Sequence, residues 1–203
     1  MIIKVCGMRE PENIRAVEQL GIQWMGFIFW PQSSRCVKER PAYLPTKCKR
    51  VGVFVDATIT DIRANVEEYE LDCIQLHGHE SPAFIQSIDY EVPIIKAFSI
   101  ATTADLTLTA SYEGVVDYFL FDTKAKLVGG NGTKFDWSVL QAYHGTTPFL
   151  LSGGIGPDDV ERIRQFHHPQ LAGIDLNSRF EISPALNDIT KLKHFIYELQ
   201  QNQ

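Results

Sequence analysis

The chain has 203 residues, 44% of them hydrophobic and 22% charged, with a formal net charge of −6. Those totals fit one globular domain, residues 1–203, and exclude global disorder. No basic block marks a nucleic-acid partner, and no apolar stretch approaches the roughly 20 residues needed to cross a bilayer.

The N-terminus opens directly on the apolar run 2–6, with no signal-peptide layout. Further short apolar runs follow at 24–29, 50–55, 73–76, 93–98, 115–122, 148–151 and 172–176. Most are apolar on consecutive positions, the pattern of strands buried on both faces. Amphipathic stretches of helical length lie between them. Residues 11–20 place Ile14, Val17 and Leu20 near one face, and Gly21 ends the stretch. Residues 60–69 behave similarly, as do 157–164, where Pro157 suits a first helical turn. Residues 189–199 carry Leu192, Phe195, Ile196 and Leu199 on a helical period. Eight strands alternating with helices predict an α/β fold, a single-domain (β/α)8 TIM barrel, rather than a flavodoxin-like open sheet. Its active site is expected where the strands end.

Those ends carry the chemistry. The first strand ends in Cys6 and the sixth in Asp122. A thiol and a carboxyl at one rim can remove one proton and deliver another, which an isomerase needs and for which no metal or redox cofactor is required. The second strand leads into Arg35, and the fourth passes Gln75 to His77. The seventh runs into Gly153-Gly154 and the eighth into Asn177-Ser178. Gly129, Gly130 and Gly132 follow Asp122 closely and read as a loop over the site.

Blander readings compete at each position. A lone cysteine is most often a buried thiol, and Cys36, Cys48 and Cys73 are read as structural or surface thiols. No C-x-x-C pair suggests a zinc knuckle or thioredoxin motif, and with no signal-peptide layout or membrane-length apolar stretch the reading is of a reduced, cytoplasmic enzyme. His77, His79 and Glu80 invite a metal reading, but Gly78 suggests that the strand has ended, and His77 is expected to line the pocket instead. The His167-His168 pair reads as a solvated helix end.

The order of motifs carries a resemblance: K-x-C-G at the start, G-F-x-F-x-P-x-S-x-R, V-G-V-F-V, Q-L-H-G, D-x-K with a G-G-x-G-x-x-F-D-W tract, and L-x-G-G-I. Together they cover nearly the whole chain, which resembles the phosphoribosylanthranilate isomerases of tryptophan biosynthesis. The resemblance implies an Amadori rearrangement of N-(5-phosphoribosyl)anthranilate. It makes Asp122 the general acid, Cys6 the general base and Arg35 the partner of the anthranilate carboxylate. The phosphate is expected at the loops after strands seven and eight, at Gly153, Gly154, Asn177 and Ser178, a recurring barrel arrangement, and His77 in the pocket and Gly130 in the loop over it are expected to contact substrate. The resemblance implies a small phosphorylated substrate, no cofactor, and a monomer or homodimer. A related barrel of histidine biosynthesis relies on aspartates where this chain has Cys6, which counts against it. Arg179 stands where the family usually has glycine, so any φ > 0 there is expected to be costly.

Overall fold

The structure is a computed structural model that describes residues 1–123 and 136–201. Eight parallel strands close into a barrel in chain order: β1 (Ile2–Cys6), β2 (Trp24–Ile28), β3 (Lys49–Phe54), β4 (Cys73–Leu76), β5 (Ile94–Ile100), β6 (Tyr118–Thr123), β7 (Phe149–Ser152) and β8 (Leu171–Leu176). β8 pairs with β1, Asp175 opposite Lys4, which completes the ring. The sequence runs mark all eight strands, with ends displaced by a few residues. The largest displacement is at β6, where a turn at 113–115, with Gly114 at φ 72°, takes in the first predicted position and the strand begins at Tyr118.

Alternation along the strands creates two apolar regions. Trp24, Val51, Cys73, Ile95, Ala97, Leu120 and Leu150 pack together as one cluster. Their strand neighbours, among them Val5, Phe27, Ile74, Phe121, Leu151 and Leu176, join a larger cluster with helical residues such as Ile14, Ile62 and Phe195. Each such side chain, fully buried, contributes on the order of 1.5–3 kcal/mol.

Four helices lie where the amphipathic stretches predict them: α1 (Pro11–Glu18), α2 (Ile59–Tyr69), α4 (Val160–Gln165) and α5 (Ile189–Gln200). α2 and α5 start at side-chain caps, Thr58 accepting from Asp61 N–H and Asp188 from Lys191 N–H. α4 begins three residues later than expected, because Pro157–Asp159 forms a tighter 3-10 turn first. A short α3 (Pro82–Gln86), capped by Ser81, lacks a clear sequence period.

The outer layer is incomplete elsewhere. The segment from 29 to 48 forms no helix, since Pro31, Pro41 and Pro45 break it repeatedly. It folds back instead, with Cys36 bridging to Ile28 and Val37 N–H donating to Ile28 C=O at 2.8 Å. Thr103–Tyr112 and Trp137–Ala142 are 3-10 helices. Threonines in the first of these disfavour a regular α-helix. After β8 the chain forms a small antiparallel hairpin, β9 (Glu181–Ser183) with β10 (Leu186–Asn187), before α5.

One surface reading is corrected. His168 is not a solvated helix end. Its ring stacks on Tyr143 with centroids 5.8 Å apart, and its Nε2 lies 3.1 Å from the Tyr143 carbonyl. The partner comes from a segment 25 residues away, beyond the reach of local pattern.

Candidate active site

The C-terminal ends of the strands surround a cavity of about 250 Å³. Cys6, Arg35, His77, Asp122, Gly153, Gly154, Asn177 and Ser178 all line it. Gly130 lies outside the described residues. Ile28, Val53, Gln75, Ser152, Ile155, Asp175 and Arg179 complete the wall. A larger open depression, about 940 Å³, occupies the opposite rim around Ile2, Trp24 and Lys49 and touches none of these residues. In barrels of this kind the strand-start face serves stability and the strand-end face carries chemistry.

Cys6 sits in register with Gly26 on β2. A Cβ on Gly26 would stand 2.6 Å from Cys6 Sγ and 3.1 Å from Lys4 Nζ, so the glycine leaves the room that both side chains occupy. Lys4 is fully buried and bonds Asp175 Oδ1 at 2.8 Å. Asp175 Oδ2 in turn accepts from Ser152 Oγ at 3.0 Å. Burial pulls the Lys4 ammonium down, but Asp175 and the Cys6 sulfur together hold it above the ordinary lysine value. Burial likewise pushes the Cys6 thiol up; the Lys4 charge and its hydrogen bond to Cys6 oppose this without cancelling it. The cation is therefore the principal group that favours thiolate, against burial and the nearby Asp175 charge.

Asp122 lies one residue before the end of β6, in register with Ser99 on β5 and Ser152 on β7. Its side chain is one-quarter exposed, and His77 Nε2 stands 3.7 Å from its Oδ2. Gln75 Nε2 lies 3.3 Å from His77 Nδ1. With the amide donating, that nitrogen is the acceptor and Nε2–H faces Asp122. Gln75 Oε1 and Asn177 Oδ1 are buried without a hydrogen-bond donor among the described residues.

Gly153 and Gly154 adopt φ 90° and 67° after β7, a left-handed pair that side chains resist. That turn meets the 178–180 turn after β8 across the cavity wall, the barrel region that commonly holds phosphate. Arg179 keeps a negative φ, so replacing the family's glycine brings no left-handed strain. Its side-chain stem packs near Gly156 and it lines the cavity.

Arg35 reaches the cavity from the proline-broken loop, and its guanidinium forks onto Glu181 of the β9–β10 hairpin. Three partners are unassigned by the sequence reading. Asp175 is a lone charge inside the apolar run of β8, a signal available in principle. Ser152 and Glu181 carry no comparable local mark.

A barrel with a thiol, a carboxyl and a paired-glycine turn at its strand-end mouth has the equipment of a proton-transferring isomerase. The comparisons narrow the class. The profile of the family described as "N-(5'phosphoribosyl)anthranilate (PRA) isomerase" matches residues 3–198. N-(5'-phosphoribosyl)anthranilate isomerases of Phocaeicola vulgatus and Parabacteroides distasonis are 54% and 53% identical to this chain. The first alignment covers 99% of this chain and 98% of the relative, the second 98% and 93%. A crystal structure of phosphoribosyl anthranilate isomerase with reduced 1-(o-carboxyphenylamino)-1-deoxyribulose 5-phosphate superposes with TM-score 0.83 at 27% identity, covering 98% of this chain and 99% of that one. The Thermotoga maritima enzyme does so with TM-score 0.82 at 27% identity and the same coverage. The chain belongs to the N-(5'-phosphoribosyl)anthranilate isomerase family, an isomerase of tryptophan biosynthesis.

Proposed function

We propose that the cavity carries out the family reaction with Asp122 as general acid and Cys6 as general base. The substrate is N-(5-phosphoribosyl)anthranilate. The Asp122 carboxyl protonates the furanose ring oxygen as the C1–O bond breaks, leaving an iminium at C1. The Cys6 thiolate removes the C2 proton, giving an enolamine. Loss of the enol proton and protonation at C1 yield 1-(2-carboxyphenylamino)-1-deoxyribulose 5-phosphate. Electrons move within the substrate only, so no oxidant is consumed.

Each residue type suits its step. The thiolate needs a nearby cation, and Lys4 supplies it. Gly153, Gly154, Asn177 and Ser178 hold the phosphate, with Arg179 adding positive charge. Arg35 takes the anthranilate carboxylate and His77 borders the reacting sugar. Among the described residues no helix is long and apolar enough to cross a membrane. The reading is of a cytoplasmic enzyme, monomeric or homodimeric as in the dimeric Thermotoga maritima relative.

One observation carries the proposal: Cys6 and Asp122, 116 positions apart, line the same cavity. Purified protein mixed with phosphoribosylanthranilate is expected to abolish the substrate's fluorescence. No loss of fluorescence beyond the uncatalysed rate would overturn the reading.

A further inference from the structure

Arg35 makes contacts that the general reaction does not explain. Its Nε donates to Glu181 Oε1 at 2.7 Å and its Nη2 to Glu181 Oε2 at 2.5 Å. This is a two-point fork on one edge of the guanidinium. The Glu181 carboxylate is only 5% exposed, and Oε1 also accepts from Ala185 N–H at 2.9 Å. That second bond ties the carboxylate to the turn of its own hairpin, where Ala185 sits at φ 68°. The arginine stem crosses the backbone at Gly7, where a Cβ would lie 2.8 Å from Arg35 Cδ. Arg35 lines the cavity, whereas Glu181 does not. Nη1 donates to no described residue, so the Nη1/Nη2 edge remains for a ligand.

We propose that Glu181 is a positioning residue: by clamping the Nε edge of Arg35 it aims the other edge at the substrate's carboxylate. The inference rests on the reading that Arg35 binds that carboxylate. It adds the specificity device. A guanidinium on a proline-broken loop has several rotatable bonds, and fixing them beforehand removes an ordering cost from binding. A rival role is competition, in which Glu181 occupies the fork until substrate displaces it. The hairpin bond to Ala185 and the location of Glu181 behind the cavity wall favour positioning.

Two ligands separate these roles: reduced 1-(o-carboxyphenylamino)-1-deoxyribulose 5-phosphate and its phenylamino counterpart lacking the carboxylate. Their dissociation constants are measured by calorimetry on wild type, Arg35→Ala, Glu181→Gln and the double variant. Glutamine keeps an oxygen for Ala185 N–H but sets an amide against Nη2. Glu181→Gln is expected to weaken the carboxylate ligand about tenfold, the scale of one charge-assisted hydrogen bond. The carboxylate-free ligand should bind unchanged, kcat should hold while KM rises, and Glu181→Gln should add nothing to Arg35→Ala. Equal weakening of both ligands would make Glu181 merely structural and overturn the inference. Tighter binding of the carboxylate ligand would identify a competitor and overturn it too. Arg35→Ala that treats the two ligands alike removes the underlying reading, and the inference with it. Should Glu181→Gln not fold, Glu181→Asp keeps the charge but shortens its reach to the Arg35 fork. The same selective loss supports positioning, and wild-type binding of both ligands sinks it.

Discussion

The lower and upper halves of the barrel interior are built from opposite materials. Below, Trp24, Val51, Cys73, Ile95, Leu120 and Leu150 form a closed apolar cluster. Above, three of those strands present Gln75, Asp122 and Ser152 to a cavity, joined by Cys6 of β1 and Asp175 of β8. Two residues along a strand separate Leu120 from Asp122 and Leu150 from Ser152. The strand repeat thus stacks a stabilising layer directly beneath a reactive one. Changes below are expected to cost stability and changes above to cost rate.

The largest effect belongs to the upper layer. Cys6→Ser and Asp122→Asn should each lower kcat about 10²–10⁴-fold if each moves a proton, with little change in thermal midpoint. Near wild-type turnover by either variant would remove that residue from the mechanism and blur the division between layers.

Lys4 belongs to both halves and tests where they join. Lys4→Met strands the Asp175 charge in the interior, at a cost of about 3–5 kcal/mol in denaturant unfolding. Lys4→Met/Asp175→Leu removes both charges and should recover much of that loss, but not activity. The pH profile gives the reason. With Cys6 as the proposed base the reactive form is the thiolate, so kcat/KM should rise as pH increases through the Cys6 ionisation. Lys4 lowers that ionisation more than Asp175 raises it. Without the pair the rise should therefore begin at higher pH. An unmoved profile would mean that Lys4 only fills space.

Leu120→Ala probes the lower layer alone. It should cost about 2–5 kcal/mol of stability while leaving kcat/KM nearly intact. A rate loss as deep as that of Asp122→Asn would show the layers to be mechanically coupled. The smallest effect lies at the rim. Arg179→Gly should raise KM by no more than about fivefold at low salt and less at high salt, as an exposed cation allows. A salt-independent change would take Arg179 out of the phosphate's field.

Legibility in the sequence followed the same division. Buried parallel strands are apolar on consecutive positions, so all eight could be read locally. The rim residues Cys6 and Asp122 could be read because each interrupts such a run with a reactive group, and the motif order then joined them. The outer layer was less readable. Prolines in 29–48 and threonines in 103–109 leave connections whose shape depends on what they pack against. Glu181 was hidden for a related reason, since it meets Arg35 across 146 residues of chain. Nothing beside either residue announces the other. His168 failed likewise, because Tyr143 covers it from a distant segment.

The seam between β1 and β8 has a temporal consequence. Cys6 lies on the first barrel strand, yet the carboxylate that anchors its neighbouring cation comes from the last barrel strand to be synthesised. A ribosome-bound chain stopped before β8 would present a thiol beside an unanchored ammonium, and no finished phosphate cradle. Recovery of turnover during refolding should consequently report the joining of first strand to last, a pairing of high sequence separation that forms late and slowly.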